Sequence, residues 1–164
     1  MTSAGVGRWQ LLASAVAGRL VDVAPGEAGG SAWTDGATIC VAECAVDRDQ
    51  LRSVTVQAAL LGAGSLDADV TRALGRRTAV ARRYLALEGH RALAEHDALL
   101  PMSVRALVDP RVVARTDSPG TSLAVSRSQD AVDDAPAFFG TIRPRQMHAT
   151  TDRIAAGPPA AQEV

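Results

Sequence analysis

The chain has 164 residues, 47% hydrophobic and 21% charged, which suits one domain with a substantial core. Aromatic residues make up only 3%, so that core has to be built from Ala, Val and Leu, which favours close-packed helices over a large sheet. A net charge of −1 and a pI near 6.3 exclude a surface that attracts polyanions as a whole, so no nucleic-acid partner is expected.

Residues 1–7 are small and polar and read as a flexible N-terminus. Trp9, Leu12, Ala13 and Val16 then recur at helical spacing, and Gly18 stands where a left-handed C-cap belongs. Arg19-Leu20-Val21-Asp22-Val23 reads as a strand that ends in a turn at Pro25-Gly26. The two short runs on either side of Asp35-Gly36 predict a hairpin closed by a two-residue type I′ turn.

From Asp47 the period becomes helical. Asp47 with Gln50 resembles a capping box, Leu51, Val54, Ala58 and Leu61 share one face, and Gly62 and Gly64 stop the helix. Ser65 is placed to cap a short helix carrying Val70 and Leu74. The longest helix is expected from Thr78 to about Leu99, with Val80, Ala81, Tyr84, Leu85 and Leu87 on its buried face. Asp109-Pro110 and Ser118-Pro119 each set a capping side chain before a proline and predict two more short helices. Residues 136–149 read as an extended connector and 150–164 as a disordered tail, with the helical domain proper at 8–135. The fold class is α+β and mainly helical, with about five to six helices and a small N-terminal strand and hairpin.

Three charged residues fall on the buried stripe of the long helix: Glu88, Arg91 and Glu95. Charges there are costly unless paired, and their i+3 and i+4 spacing suits a structural network clamping neighbouring helices. The competing use is an acid or base at Glu88 in a pocket beside Arg91. His90 projects to the opposite face, near Arg83 and Ala86; His96 and His148 lie elsewhere, so the three histidines have no metal-ligand spacing. Cys40 and Cys44 are too far apart for a Cys-x-x-Cys motif, and two cysteines make no disulfide framework. Phe138 and Phe139, near Arg143 and Arg145, offer base stacking at best and are better used to tuck a connector onto the core. All 17 basic residues are arginine, a bias that suggests a GC-rich coding background and lowers the weight of any one of them. Residues 1–7, small and polar, do not read as a charged-then-apolar leader, so none is expected, and apolar runs such as Leu11–Ala17 fall far short of the roughly 18 residues that span a bilayer. A cytoplasmic chain without membrane contact, catalytic residues, metal or other cofactor is expected.

The runs Leu11-Leu12-Ala13-Ser14-Ala15-Val16-Ala17-Gly18-Arg19, Trp33-Thr34-Asp35-Gly36, Tyr84-Leu85-Ala86-Leu87-Glu88-Gly89-His90-Arg91 and Phe139-Gly140-Thr141-Ile142-Arg143-Pro144-Arg145 together resemble the N-terminal region of NorD-like proteins, of the nitric-oxide-reductase activation type. The resemblance covers residues 8–147. It implies a degenerate zincin-like module, normally followed by a von Willebrand factor A domain, that works beside a MoxR-type AAA+ ATPase in activating a client enzyme. With Gly64 aligned, Val56, Gln57 and Leu60 stand where a zincin carries His, Glu and His, so zinc-water hydrolysis has no machinery. Glu88 then corresponds to a third ligand position, paired with Arg91 instead of metal. The implied function is a non-catalytic accessory or interaction module. The alternatives are an enzyme of unfamiliar type using Glu88, or a truncated remnant without its A domain.

Overall fold

The computed structural model describes residues 5–157. Among them eight α-helices and a three-stranded sheet make a mainly helical α+β fold, two helices more than the sequence suggests.

Val6–Trp9 forms a 3-10 turn that runs into α1, Gln10–Ala17. Val6 is buried, so within the described residues the N-terminal segment is structured where a flexible one was expected. Ala13 and Val16 of α1 face the core, Trp9 and Leu12 pack against it, and Gly18 ends the helix at φ 69°.

Strand β1, Asp22–Gly26, lies further along the chain than expected and includes Pro25-Gly26. It pairs in parallel with β3, Thr38–Ala42, which also pairs antiparallel with β2, Trp33–Thr34, in the order β1-β3-β2. As an edge strand β1 tolerates a proline, whose missing N–H removes no bond on its open side. The β2–β3 hairpin forms, but not with the type I′ turn. Of the turn residues Asp35 and Gly36, only Gly36 has positive φ (96°). The Asp35 carboxylate accepts the N–H groups of Ala37 and Thr38 at 2.9 and 2.8 Å, and the Asp35 N–H donates to Thr38 O, so the turn shifts one residue along.

Helix α2, Asp47–Gly62, has no side-chain cap, in contrast to the expected capping box. Gln50 is buried beneath the sheet end, where its amide donates to Ala42 O and Glu43 O and its Oε1 accepts from Trp9 Nε1. Asp47 instead pairs with Arg8. Helix α3, Ala68–Leu74, starts after Asp67 rather than at a Ser65 cap, because the Ser65 side chain turns inward.

Helix α4, Thr78–Glu95, is the centre of the fold and ends before Leu99, where a separate 3-10 turn, Asp97–Leu99, follows. The His96 imidazole closes its C-terminus, with Nδ1 2.8 Å from Ala92 O. Beyond it come α5, Met102–Arg105; α6, Pro110–Val113; α7, Pro119–Arg127; and α8, Pro144–Ala156. Asp109 caps α6, and Ser118 with Thr121 makes a capping box on α7, in line with the proline spacing.

The C-terminal expectations are corrected by the structure. Residues 136–149 are not extended: Ala137–Phe139 is a 3-10 turn and Pro144 opens α8, which continues through 150–156 where a disordered tail was expected. The remainder of that tail, 158–164, lies outside the described residues. Proline at the first helical position is compatible with a helix, and α8 is held by burial of Met147 and by Thr150, which donates to Asp35 at 3.1 Å.

Candidate functional site: a sealed carboxylate cluster

Every residue of α4 from Tyr84 to Leu93 is buried. Helices α2, α6 and α7 and the Phe139 turn all pack on this helix, so no polar face is left in its middle. His90, expected on the face opposite the buried stripe, is therefore buried as well. Its Nδ1 accepts the Asp109 N–H at 3.1 Å, and its ring meets Phe139 edge-on with centroids 4.9 Å apart. Burial holds the His90 pKa below the ordinary histidine range, with Asp109 opposing.

Glu88, Arg91 and Glu95 lie together. The Glu88 side chain is 0% exposed, and four donors meet its carboxylate. Arg91 Nε and Nη2 bind it in a fork at 2.6 and 2.8 Å, Ser65 Oγ donates at 2.5 Å and Ser122 Oγ at 2.6 Å. Thr116 stands behind Ser122, hydroxyl to hydroxyl at 2.8 Å. Arg91 Nη1 reaches Glu95 at 2.8 Å at the more exposed end of the cluster. The hydrogen bonding that Arg91 donates to Glu88 is the main cause holding its guanidinium in the charged form still more firmly than usual. Tyr84 donates to Ser65 O at 2.7 Å and so fixes the loop that carries the Ser65 hydroxyl. Burial, then the Glu88 charge, pushes the Tyr84 phenol far above the usual range.

This arrangement joins three segments through one carboxylate: the turn after α2, helix α4 and helix α7. A buried ion pair is tolerable only when its remaining lone pairs are satisfied, and here the serine hydroxyls satisfy them. The carboxylate has no open side on which to meet a substrate. Nothing in the sequence tied Ser65, Thr116 or Ser122 to Glu88, because Ser65 and Ser122 stand 23 and 34 residues from it and share no motif with it.

The other candidates are dispersed. Val56, Gln57 and Leu60 are buried within α2, where the Gln57 amide donates to Phe139 O at 2.7 Å. Phe139 is fully buried and offers no face for stacking a base. Cys40 is half-buried in β3 and Cys44 exposed, both as free thiols; burial is the first cause raising the Cys40 pKa. Among the described residues no three His, Cys, Asp or Glu side chains group as metal ligands, and no helix is long and apolar enough to cross a membrane.

A cavity of about 740 Å³ opens beside α4 on the side of Ala81, Arg82 and Leu85, and neither Glu88 nor Arg91 lines it. No family model, curated protein or solved structure matches this chain.

Proposed function

We propose that the chain is a non-catalytic, cytoplasmic accessory module of NorD-like type that docks onto a MoxR-type AAA+ ATPase or onto the client enzyme which that ATPase activates. The observation that carries the non-catalytic part is the closure of Glu88: the carboxylate best placed for chemistry is shut from solvent and saturated by Arg91, Ser65 and Ser122. The element order α1, β1, β2–β3, α2 supports the likeness to a zincin-like module, and Val56, Gln57 and Leu60 on α2 support its degenerate form. The family assignment rests on the sequence runs named above.

The test mixes the purified chain with the MoxR-type ATPase of the same genome and follows co-elution and ATP turnover. A stable complex with altered turnover is the expected result, together with no stoichiometric zinc by elemental analysis. One tightly bound zinc per chain would overturn the degenerate-zincin argument. Failure to bind the ATPase or client, combined with a hydrolase activity that Glu88→Gln abolishes in a folded protein, would replace the accessory reading with the enzymatic one.

A further inference from the structure

We infer that the cavity between the N-terminal ends of α4 and α8 is a binding site for a small organic phosphate. Five of the chain's 17 arginines line it, Arg76, Arg77, Arg82, Arg143 and Arg145, against one acidic residue, Asp134. In a chain of net charge −1 this is a local concentration of positive charge. Arg82 lies 3.8 Å from Asp134; the other four have no carboxylate within ion-pair distance among the described residues. Exposed Arg76, Arg77 and Arg145, with Arg143 over the Trp33 ring, give this concavity a positive potential that favours an anion.

The remaining lining sets the ligand class. Leu85 is buried and, with Ala81 and Ile142, gives the cavity an apolar wall. Its volume, about 740 Å³, is that of a site for an organic molecule and far more than a bare phosphate fills. The first turns of α4 and α8 border the space and neither helix has a side-chain cap; the free N–H groups of the first turn of α4, and those of α8 after Pro144, which has none, add to the attraction for oxyanions. Guanidinium forks match the several oxygens of a phosphate better than a single carboxylate, while the apolar wall takes the organic body.

Arg143 supplies a reporter, because its guanidinium lies 4.4 Å over the Trp33 ring. An anion that draws Arg143 into the cavity changes the surroundings of Trp33, which is the sole tryptophan in a Trp9→Phe variant. That variant is titrated with phenyl phosphate, inorganic phosphate and benzyl alcohol, with calorimetry in parallel. A saturable response to phenyl phosphate is expected, weakened about tenfold or more by Arg77→Gln or Arg145→Gln and strengthened by Asp134→Asn. Both arginines are exposed, so circular dichroism should show an unchanged fold in those variants. Absence of saturation up to about 10 mM phenyl phosphate would overturn the site. Equal binding of benzyl alcohol, or binding indifferent to both arginine changes, would do the same; inorganic phosphate binding as tightly as phenyl phosphate would overturn the organic ligand. Glu88 and Arg91 take no part, so these outcomes are independent of the accessory reading.

Discussion

The hydroxyl of Ser122 on α7 donates to the carboxylate of Glu88 on α4 at 2.6 Å, across 34 residues of chain. With Arg91 and Ser65 it leaves the carboxylate fully engaged. Glu88→Ala leaves the Arg91 guanidinium with Glu95 as its one carboxylate and the Ser65 hydroxyl without an acceptor, and should cost up to about 3–5 kcal/mol. Changing Glu88 and Arg91 together to leucine removes the unpaired charge and should recover part of that loss. Recovery stays incomplete because the Ser65 hydroxyl still lacks an acceptor, at roughly 1–3 kcal/mol for a buried polar group, while Ser122 keeps Thr116. A double-mutant cycle by urea melts measures the coupling; additive losses would show that the two charges do not depend on each other in the folded protein.

Gly89 stands in the middle of α4, where alanine ordinarily gains about 1 kcal/mol over glycine. A Cβ there would lie only 2.2 Å from Cε2 of Phe139. That ring is itself wedged between His90 and Phe138, so it has little room to yield. Gly89→Ala should therefore destabilise the protein by about 1–3 kcal/mol, the usual cost of overpacking. Phe139→Leu in the same chain should relieve part of it. Thermal melts that show Gly89→Ala to be stabilising would remove Phe139 from its place against α4.

Tyr84 is the chain's single tyrosine, so its ionisation can be followed by absorbance without interference. Its folded pKa is raised by burial and by Glu88, so at high pH the folded state retains a proton that the unfolded state loses. The stability from this group is complete below the unfolded pKa of about 10 and falls as pH rises above it. The phenolate signal should appear only as the far-ultraviolet circular dichroism is lost. A reversible phenolate titration near pH 10 in folded protein would mean that the ring is reached by water.

His90 acts at the opposite end of the pH scale. Burial lowers its folded pKa below the ordinary 6.5, so the unfolded state binds the proton first on acidification. Its contribution to stability is present above about 6.5 and is lost as pH falls through the folded pKa. Protonation also removes the acceptor for the Asp109 N–H and so loosens the start of α6. Resonances of Asp109 and its neighbours should shift together with the His90 ring signal in an acid titration by NMR. Independent movement of the two would refute the contact.

The sequence by itself determined the mainly helical α+β class, the hairpin at Asp35-Gly36, the proline-led starts of α6 and α7 and the spacing that brings Glu88, Arg91 and Glu95 onto adjoining turns. These rest on interactions a few residues long: turn chemistry, caps and helical periodicity. Only the tertiary structure decided that α4 is buried all round, that Ser65 leaves its cap position for Glu88, and that residues after Pro144 form a helix. The arginines around the cavity show the same division, since Arg76-Arg77 and Arg143 with Arg145 are distant in the chain and meet only because α8 folds back beside α3 and the start of α4. A hydrogen bond or a shared charge between such segments leaves no periodic trace, because its spacing is set by where the chain returns, and long-range packing alone decides that.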